Sequence, residues 1–273
     1  MASYHCLTFL TDYGLEDGFV AACHGVSLRI APDAQVIDIT HLVPPGDIRR
    51  GAVVLAQTVP YLPQAVHVAV VDPGVGTARR GVAVAAGSGS VFVGPDNGLL
   101  TWAIEAAGGA VAAVSLTNRG LWLDSVTATF HGRDIFMPVA AHLAAGTPFD
   151  EAGSPLDVSD LVTLPRPGSR VSGSGASGEV LTADRFGNMQ LSITAADATE
   201  AGAVAGTSVR LRSPSPVALD VIMPFGRTFG DVATGELVVY PDSSGLIAIA
   251  VNGGDAARRL SLPPGTPITL TRA

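Results

Sequence analysis

Short apolar runs alternate with amphipathic stretches from the N-terminus to about residue 145, and this alternation stops after Leu164. "YHCLTFL" (Tyr4 to Leu10) reads as a buried strand that stops at Thr11-Asp12. Asp17 to Ile30 has helical spacing, with Phe19, Val20, Cys23, Val26 and Ile30 on one side. "QVIDIT" predicts a strand, Ile48 to Val59 a helix ending near Pro60, and "VHVAVVDPGVGTARRGVAVAA" a strand or pair of strands. "SVFVGPDNG" follows as strand and turn, then a helix over Leu99 to Ala107 and a strand at "AVAAVSL". A last helix is expected from near Arg133 to about Ala145, closed by Gly146; Pro138 must lie in its first turns or kink it. Strands alternating with helices predict an α/β domain with a mainly parallel sheet covered on both faces. Such sheets bind ligands at the carboxyl ends of their strands, where Asp12 and Asp72 fall and Asp96 follows closely.

Beyond Leu164 the texture changes. "PRPGSRVSGSGASG" reads as a linker, and strand-like runs follow around 179–183, 208–212, 236–240, 246–251 and 267–270. The expected division is residues 1–166 as the α/β domain and 167–273 as a small all-β barrel or sandwich. "GSGASG" matches the dinucleotide-binding GxGxxG letter for letter. It follows no convincing strand and precedes no helix, so it reads as linker.

Composition narrows the function. With 47% hydrophobic and 15% charged residues, the 273-residue chain can bury a substantial core. A net charge of -8 weighs against nucleic acid and anionic membrane surfaces as partners. All sixteen basic residues are arginine, which excludes Schiff-base chemistry and a phosphate-binding P-loop lysine. No apolar run reaches membrane-spanning length and no basic leader opens the chain, so a soluble cytoplasmic protein is expected. Cys6 and Cys23 read as buried reduced thiols.

Four polar clusters interrupt the apolar chain. In "TDYGLED", Asp12 suits a vicinal diol such as a ribose and Asp17 an ammonium group; the plain alternatives are an Asx turn and a helix N-cap. In "DPGVGTARR", Asp72 could form an ion pair with Arg79 or Arg80 across a hairpin, or serve a site. "TFHGRDIF" places His131 before a helix start, with Asp134 favoured in the first turn by the helix dipole. In "DRFGN", the Asn188 amide matches the N6/N7 edge of adenine and Phe186 offers a face to a base. Asp12, Asp72, His131 and Asp134 could be imagined as metal ligands, but no HxH or HExxH spacing appears. No metal is therefore expected.

Taken in order, "FLTDYGLEDGFV", "VIDITHLVPPGDIRRGAVVLA", "VHVAVVDPGVGTARR", "VGPDNGLL", "TFHGRDIF", "DRFGN" and "GLIAIAVNGG" resemble the S-adenosyl-L-methionine (SAM) hydroxide adenosyltransferases, relatives of fluorinase and chlorinase, over essentially the whole chain. The resemblance implies a Rossmann-like N-terminal domain, a C-terminal β-barrel, and a homotrimer with the ligand at subunit interfaces. It implies an Asp72, Arg79 and His131 set around the nucleophile, Asp12 on the ribose diol and Asp17 near the methionine ammonium. Asn188 and Asp184 match the adenosine contacts, and Ser243 a methionine-carboxylate contact; Ser244 departs from the arginine of the halogenases. Those halogenases carry a tyrosine-like aromatic and a small residue where this chain has Asp72 and His131, so the hydrolase branch is expected. SAM is then the substrate, and neither a metal nor a redox cofactor is needed. A halide-dependent halogenase and a non-catalytic SAM or adenosine sensor are the alternatives.

Overall fold

β1 (Cys6–Thr11) is buried along its whole length. A strand with no wet face belongs in the middle of a covered sheet. The computed structural model describes residues 4–173, 175–214, 216 and 218–273. The chain forms two compact units, Met1–Pro165 and Arg166–Ala273.

In the first unit, β1 is followed by α1 (Phe19–Ile30), β2 (Gln35–Thr40), α2 (Ile48–Thr58), β3 (Val66–Val70), β4 (Gly81–Ala86), β5 (Val91–Pro95), α3 (Thr101–Ala106), β6 (Ala110–Ser115), α4 (Met137–Ala144) and β7 (Ser154–Leu156). They make one seven-stranded sheet in the order β2-β1-β3-β5-β4-β6-β7. β2, β1, β3 and β5 are mutually parallel, β4 opposes β5, β6 opposes β4 and β7 opposes β6, so five of the seven strands run the same way. The mainly parallel α/β expectation holds. The hairpin offered as one reading of "DPGVGTARR" does not, because β5 sits between β3 and β4.

Alternation along β3 shows why both faces must be covered. Val66, Val68 and Val70 join a core that includes Cys23 and Val26 of α1 and Val139 and Leu143 of α4. Ala69 joins the opposite core with Leu55 of α2 and Ala103 and Ile104 of α3. Each large aliphatic side chain buried this way contributes about 1.5–3 kcal/mol. α1 starts two residues later than its spacing suggests. Its N-cap is Gly18, so Asp17 lies outside the helix as an exposed turn residue rather than a cap. Phe19 is 45% exposed, but its ring edge meets Tyr13 and Phe130.

The second unit holds β8 (Arg170–Ser172), β9 (Gly175–Ala183), β10 (Met189–Thr194), α5 (Ala195–Glu200), β11 (Ser208–Ser213), β12 (Leu219–Pro224), β13 (Leu237–Pro241), β14 (Leu246–Val251), α6 (Ala256–Leu260) and β15 (Pro267–Arg272). Its antiparallel sheet runs β12-β11-β15-β9-β10-β14-β13, with β8 on β9. A Phe225–Val239 bridge brings the far ends together into a nearly closed barrel. The linker expected at 165–178 is corrected in its second half. Arg170–Ser172 pairs with Gly175–Ser177 as a hairpin, and only Ser174 of "GSGASG" lies outside the described residues. Among the described residues no helix is long and apolar enough to cross a membrane.

Candidate active site

The segment from Val71 to Arg80 leaves β3 and returns as β4, arching over the end of β5 that lies between them. Two local hydrogen bonds shape it, Val75 N–H to the Asp72 carbonyl (3.2 Å) and Thr77 Oγ1 to the Gly74 carbonyl (2.7 Å). Gly76 has φ +76°, and a Cβ there would lie 2.4 Å from the Ala128 carbonyl, so only glycine fits. At the foot of the arch the Asp72 side chain is only 5% exposed. A carboxylate so placed costs several kcal/mol unless it is paired. Arg79 pairs it. Its Nε donates to Oδ1 at 2.9 Å and to Oδ2 at 3.0 Å, and its Nη2 also donates to Oδ2. The neighbouring arginine serves elsewhere. Arg80 Nε donates to Asp96 Oδ2 at 2.9 Å, and Asp96 Oδ1 accepts the Val162 N–H at 2.8 Å, tying the β4–β5 corner to the 160–162 segment. The ambiguity between the two arginines resolves to Arg79.

Arg79 Nη2 also donates to His131 Nδ1 at 2.9 Å, and the guanidinium lies 5.1 Å over the Phe136 ring. His131 precedes a π-helical turn, Gly132–Phe136, which runs into α4 with Pro138 in its first turn. The proline is thus accommodated where its missing N–H is tolerated, and the turn before it is the wide kind often found at functional sites. Asp134, fully buried, anchors this start. Its Oδ2 accepts from Thr127 N–H (2.8 Å) and Oγ1 (2.7 Å), and Oδ1 accepts from Arg133 Nε (2.6 Å). Burial pushes its carboxyl pKa up, but the bonds from Arg133 and Thr127 outweigh that and hold it below the usual range. Asp134 is an anchor for the His131 turn. Burial and then the Arg79 charge lower the His131 pKa, against smaller opposing effects from Asp72 and Asp134. The shift favours the neutral imidazole. Because arginine only donates, Nδ1 is the acceptor and the proton sits on Nε2.

Two loops bring Asp12 to the same neighbourhood. Thr11 Oγ1 accepts the Tyr13 N–H (3.1 Å), Gly14 N–H donates to the His41 carbonyl (2.8 Å), and Gly46 N–H donates to Asp12 Oδ2 (2.8 Å). A side chain at Gly46 would touch Pro73, so the 41–46 loop packs against the arch. Tyr13, which the sequence reading passed over, stands among these groups. Burial raises its phenol pKa well above normal, with further pushes from Cys23, Asp12 and Asp72 and an opposing one from Arg79. Its hydroxyl lies where a Cβ on Gly132 would come within 1.9 Å. The available signal was its position directly after Asp12. Asp12, Tyr13, Asp72, Arg79 and His131 are thus brought together, whereas Asp17 is left on its exposed turn. Cys6 and Cys23 are buried free thiols, and Cys23 is pushed up to about 12, mainly by burial.

In the second unit, Asp184 organises the β9–β10 turn. Its Oδ1 accepts from Phe186 N–H (2.8 Å) and Asn188 N–H (2.9 Å), and its Oδ2 from the Asn188 amide (2.8 Å). Asp184 is therefore spent on shaping the turn, and Phe186 is 70% exposed. Asp242 similarly holds the Ser243 turn, accepting from Ser244 N–H and from Gln190 Nε2 at 2.5 Å. Tyr240 links the two turns. Its pKa is raised by burial and then by Asp184 and Asp242 together.

The comparisons with known proteins agree across both units. Residues 7–153 match the SAM hydroxide adenosyltransferase N-terminal domain and residues 178–269 its C-terminal domain. A Salinispora tropica protein named (R)-S-adenosyl-L-methionine hydrolase is 57% identical, with 99% of each chain aligned. A fluorinase of Actinoplanes sp. is 31% identical over 98% of this chain and 97% of its own. A crystal structure of a conserved Thermotoga maritima protein superposes with TM-score 0.90 at 38% identity, covering 97% of this chain and all of that one. With both domain families matched in order and full-length relatives on each side of the hydrolase–halogenase divide, the chain belongs to the SAM hydroxide adenosyltransferase family.

Proposed function

We propose that this protein hydrolyses SAM to adenosine and L-methionine by attack of water at the ribose C5′ carbon. The observation that carries the reading is the Asp72–Arg79–His131 cluster, a buried carboxylate and a neutral imidazole held by one guanidinium. The 57% identity to a SAM hydrolase, against 31% to a fluorinase, supports the same branch. A bond forms from the water oxygen to C5′ while the C5′–S bond breaks and its electron pair returns to sulfur, giving neutral methionine. The water proton passes to Asp72 and then to solvent. Asp72, held in place by Arg79, orients the water and takes the proton as the C–O bond forms. Arg79 stabilises the hydroxide-like oxygen, and His131 supplies its Nε2–H as a hydrogen-bond donor. Cancelling sulfonium against developing hydroxide favours a water-poor site.

Asp12 is read as the ribose-diol carboxylate and Asp17 as the ammonium partner. Asn188, Asp184 and Phe186 are read as adenosine contacts and Ser243 as a methionine-carboxylate contact. With Asp184 occupied in its turn, its contribution is to hold Asn188 in place. The reaction as read draws on no metal or redox cofactor. The family resemblance further supports a homotrimer with the ligand at its subunit interfaces. The test is turnover of SAM in oxygen-18 water, with label expected in the adenosine 5′-hydroxyl and none in methionine. Tight SAM binding without products would mark a sensor instead. A 5′-halo-5′-deoxyadenosine formed with chloride would mark a halogenase.

A further inference from the structure

Behind the Asp12 loop lies a second polar cluster that the reaction does not use. His24 comes from the second turn of α1, Asp38 from β2, and His41 from the residue after β2 ends. His24 Nε2 lies 2.8 Å and His41 Nε2 3.0 Å from the same oxygen, Asp38 Oδ1. One donor atom from each of the three residues falls within 4.8 Å of the others. Phe9, fully buried on β1, holds both imidazoles, with ring centroids at 6.3 Å from His24 and 4.9 Å from His41.

His41 is the informative member. It is 3% exposed, and its Nδ1 is engaged with Thr11 Oγ1 at 2.8 Å. Its Nε2 is buried and makes no hydrogen bond, although Asp38 Oδ1 is near, because the carboxylate lies off the N–H direction. Thr11 Oγ1 already accepts one N–H, from Tyr13, and has a second lone pair for His41 Nδ1–H. In that tautomer a buried Nε2 lone pair has no donor to accept from, and Asp38 Oδ1 lies 3.0 Å from it, off its axis. Metal-binding histidines show this arrangement. One ring nitrogen donates to a fixed oxygen, and the other presents its lone pair to the ion.

We propose that His24 Nε2, His41 Nε2 and Asp38 Oδ1 form a binding site for a divalent transition ion of the zinc class, with Thr11 as the outer partner of His41. Two imidazoles and one carboxylate, with water in the fourth position, suit Zn²⁺ and its neighbours and not Mg²⁺ or Ca²⁺, which select all-oxygen sets. An ion with bonds of about 2.0–2.1 Å spaces its donors about 3.4 Å apart. Asp38 and His24, with side chains 42% and 36% exposed, are free to make that adjustment while His41 stays fixed. The ion's role is structural. It fastens α1 to the end of β2 and, through His41 and Thr11, to the turn that carries Asp12.

The test uses the full chain, freed of any affinity tag and stripped with EDTA, titrated calorimetrically with zinc chloride at neutral pH. One ion per chain is expected, with a melting temperature raised by zinc. His24→Gln and Asp38→Asn proteins, each checked for a cooperative melt without metal, should bind at least tenfold more weakly and lose the zinc-induced shift. Magnesium should not compete, and an anomalous peak between the three residues should appear at the zinc edge. No saturable uptake, or equal uptake by the two variants, overturns the site. SAM turnover by the EDTA-stripped enzyme is measured in parallel, so that a failure of the hydrolase reading is seen separately from a failure of the metal site.

Discussion

Arg79 donates to His131 Nδ1, so the nitrogen facing the arginine carries no proton. Adding one sets two cations face to face and breaks the contact. The His131 pKa is depressed, chiefly by burial, so the neutral, working form persists at pH values below the ordinary histidine range. The acid limb of kcat/KM is expected to have its midpoint below 6.5, the normal imidazole value. A pH–rate profile checks this, and a midpoint at or above neutrality would contradict it.

Asp72→Asn keeps the shape of the side chain and removes its charge. The expected loss in kcat is roughly 10²–10⁴-fold, the usual contribution of a positioned acid–base group. SAM affinity, measured by calorimetry, should change far less. Arg79→Lys should also be impaired, because an ammonium cannot hold both Asp72 oxygens and His131 in one plane.

Adjacent arginines should separate cleanly. Arg80→Met removes the partner of a buried carboxylate, Asp96, and should cost about 1–3 kcal/mol of unfolding free energy in urea titrations. Its kcat/KM at a temperature where it is folded should stay near wild type. Arg79→Met strips the partner of an equally buried carboxylate, Asp72, so it should lose both stability and kcat/KM.

Gly132 lies in an ordinary helical conformation, so what obstructs an alanine there is the Tyr13 side chain, its hydroxyl above all. Gly132→Ala should cost about 1–3 kcal/mol through overpacking and displace His131. Adding Tyr13→Phe should restore part of both stability and kcat. It should not restore all, because the ring carbon behind the hydroxyl would still be 3.0 Å away.

His67, buried on β3 against Phe92 and bonded to Thr8 Oγ1 at 2.8 Å, has its pKa lowered to about 4 by burial. Above about 6.5 neither the folded nor the unfolded state protonates it, so it has no effect on stability there. As pH falls below 6.5 the unfolded chain takes up the proton first and the fold loses stability, levelling off near pH 4. The loss is on the order of 3 kcal/mol. Urea titrations across this range should show the decline, and His67→Gln should flatten it.

Periodicity reached the first unit well, because β1, β3 and the helices that cover them carry long apolar patterns whose faces are settled by burial. It did not reach strand order. Nothing in "DPGVGTARR" says that β5 will slip between β3 and β4, since that is decided by which edge the later strand finds. In the second unit β10 and β12 escaped notice because turn residues crowd close to them, and the Gly-Ser run concealed half of a hairpin. Asp72, Arg79 and His131 were legible through family resemblance. Tyr13 was not, since its importance comes from the space left by Gly132, and neither was the meeting of His24, Asp38 and His41 across three elements.

The arch over β5 makes the order of assembly matter. Asp72 and Arg79 are only seven residues apart, yet they spring from strands that are not neighbours in the sheet. Until Val91–Pro95 docks between those strands, β4 has no rung to register against on that side, and the arch has no fixed span. The folding chain therefore carries this buried charge pair unassembled until a segment made later closes the gap. A nascent chain cut short before residue 91 would hold every reacting side chain of the arch and still lack the pair.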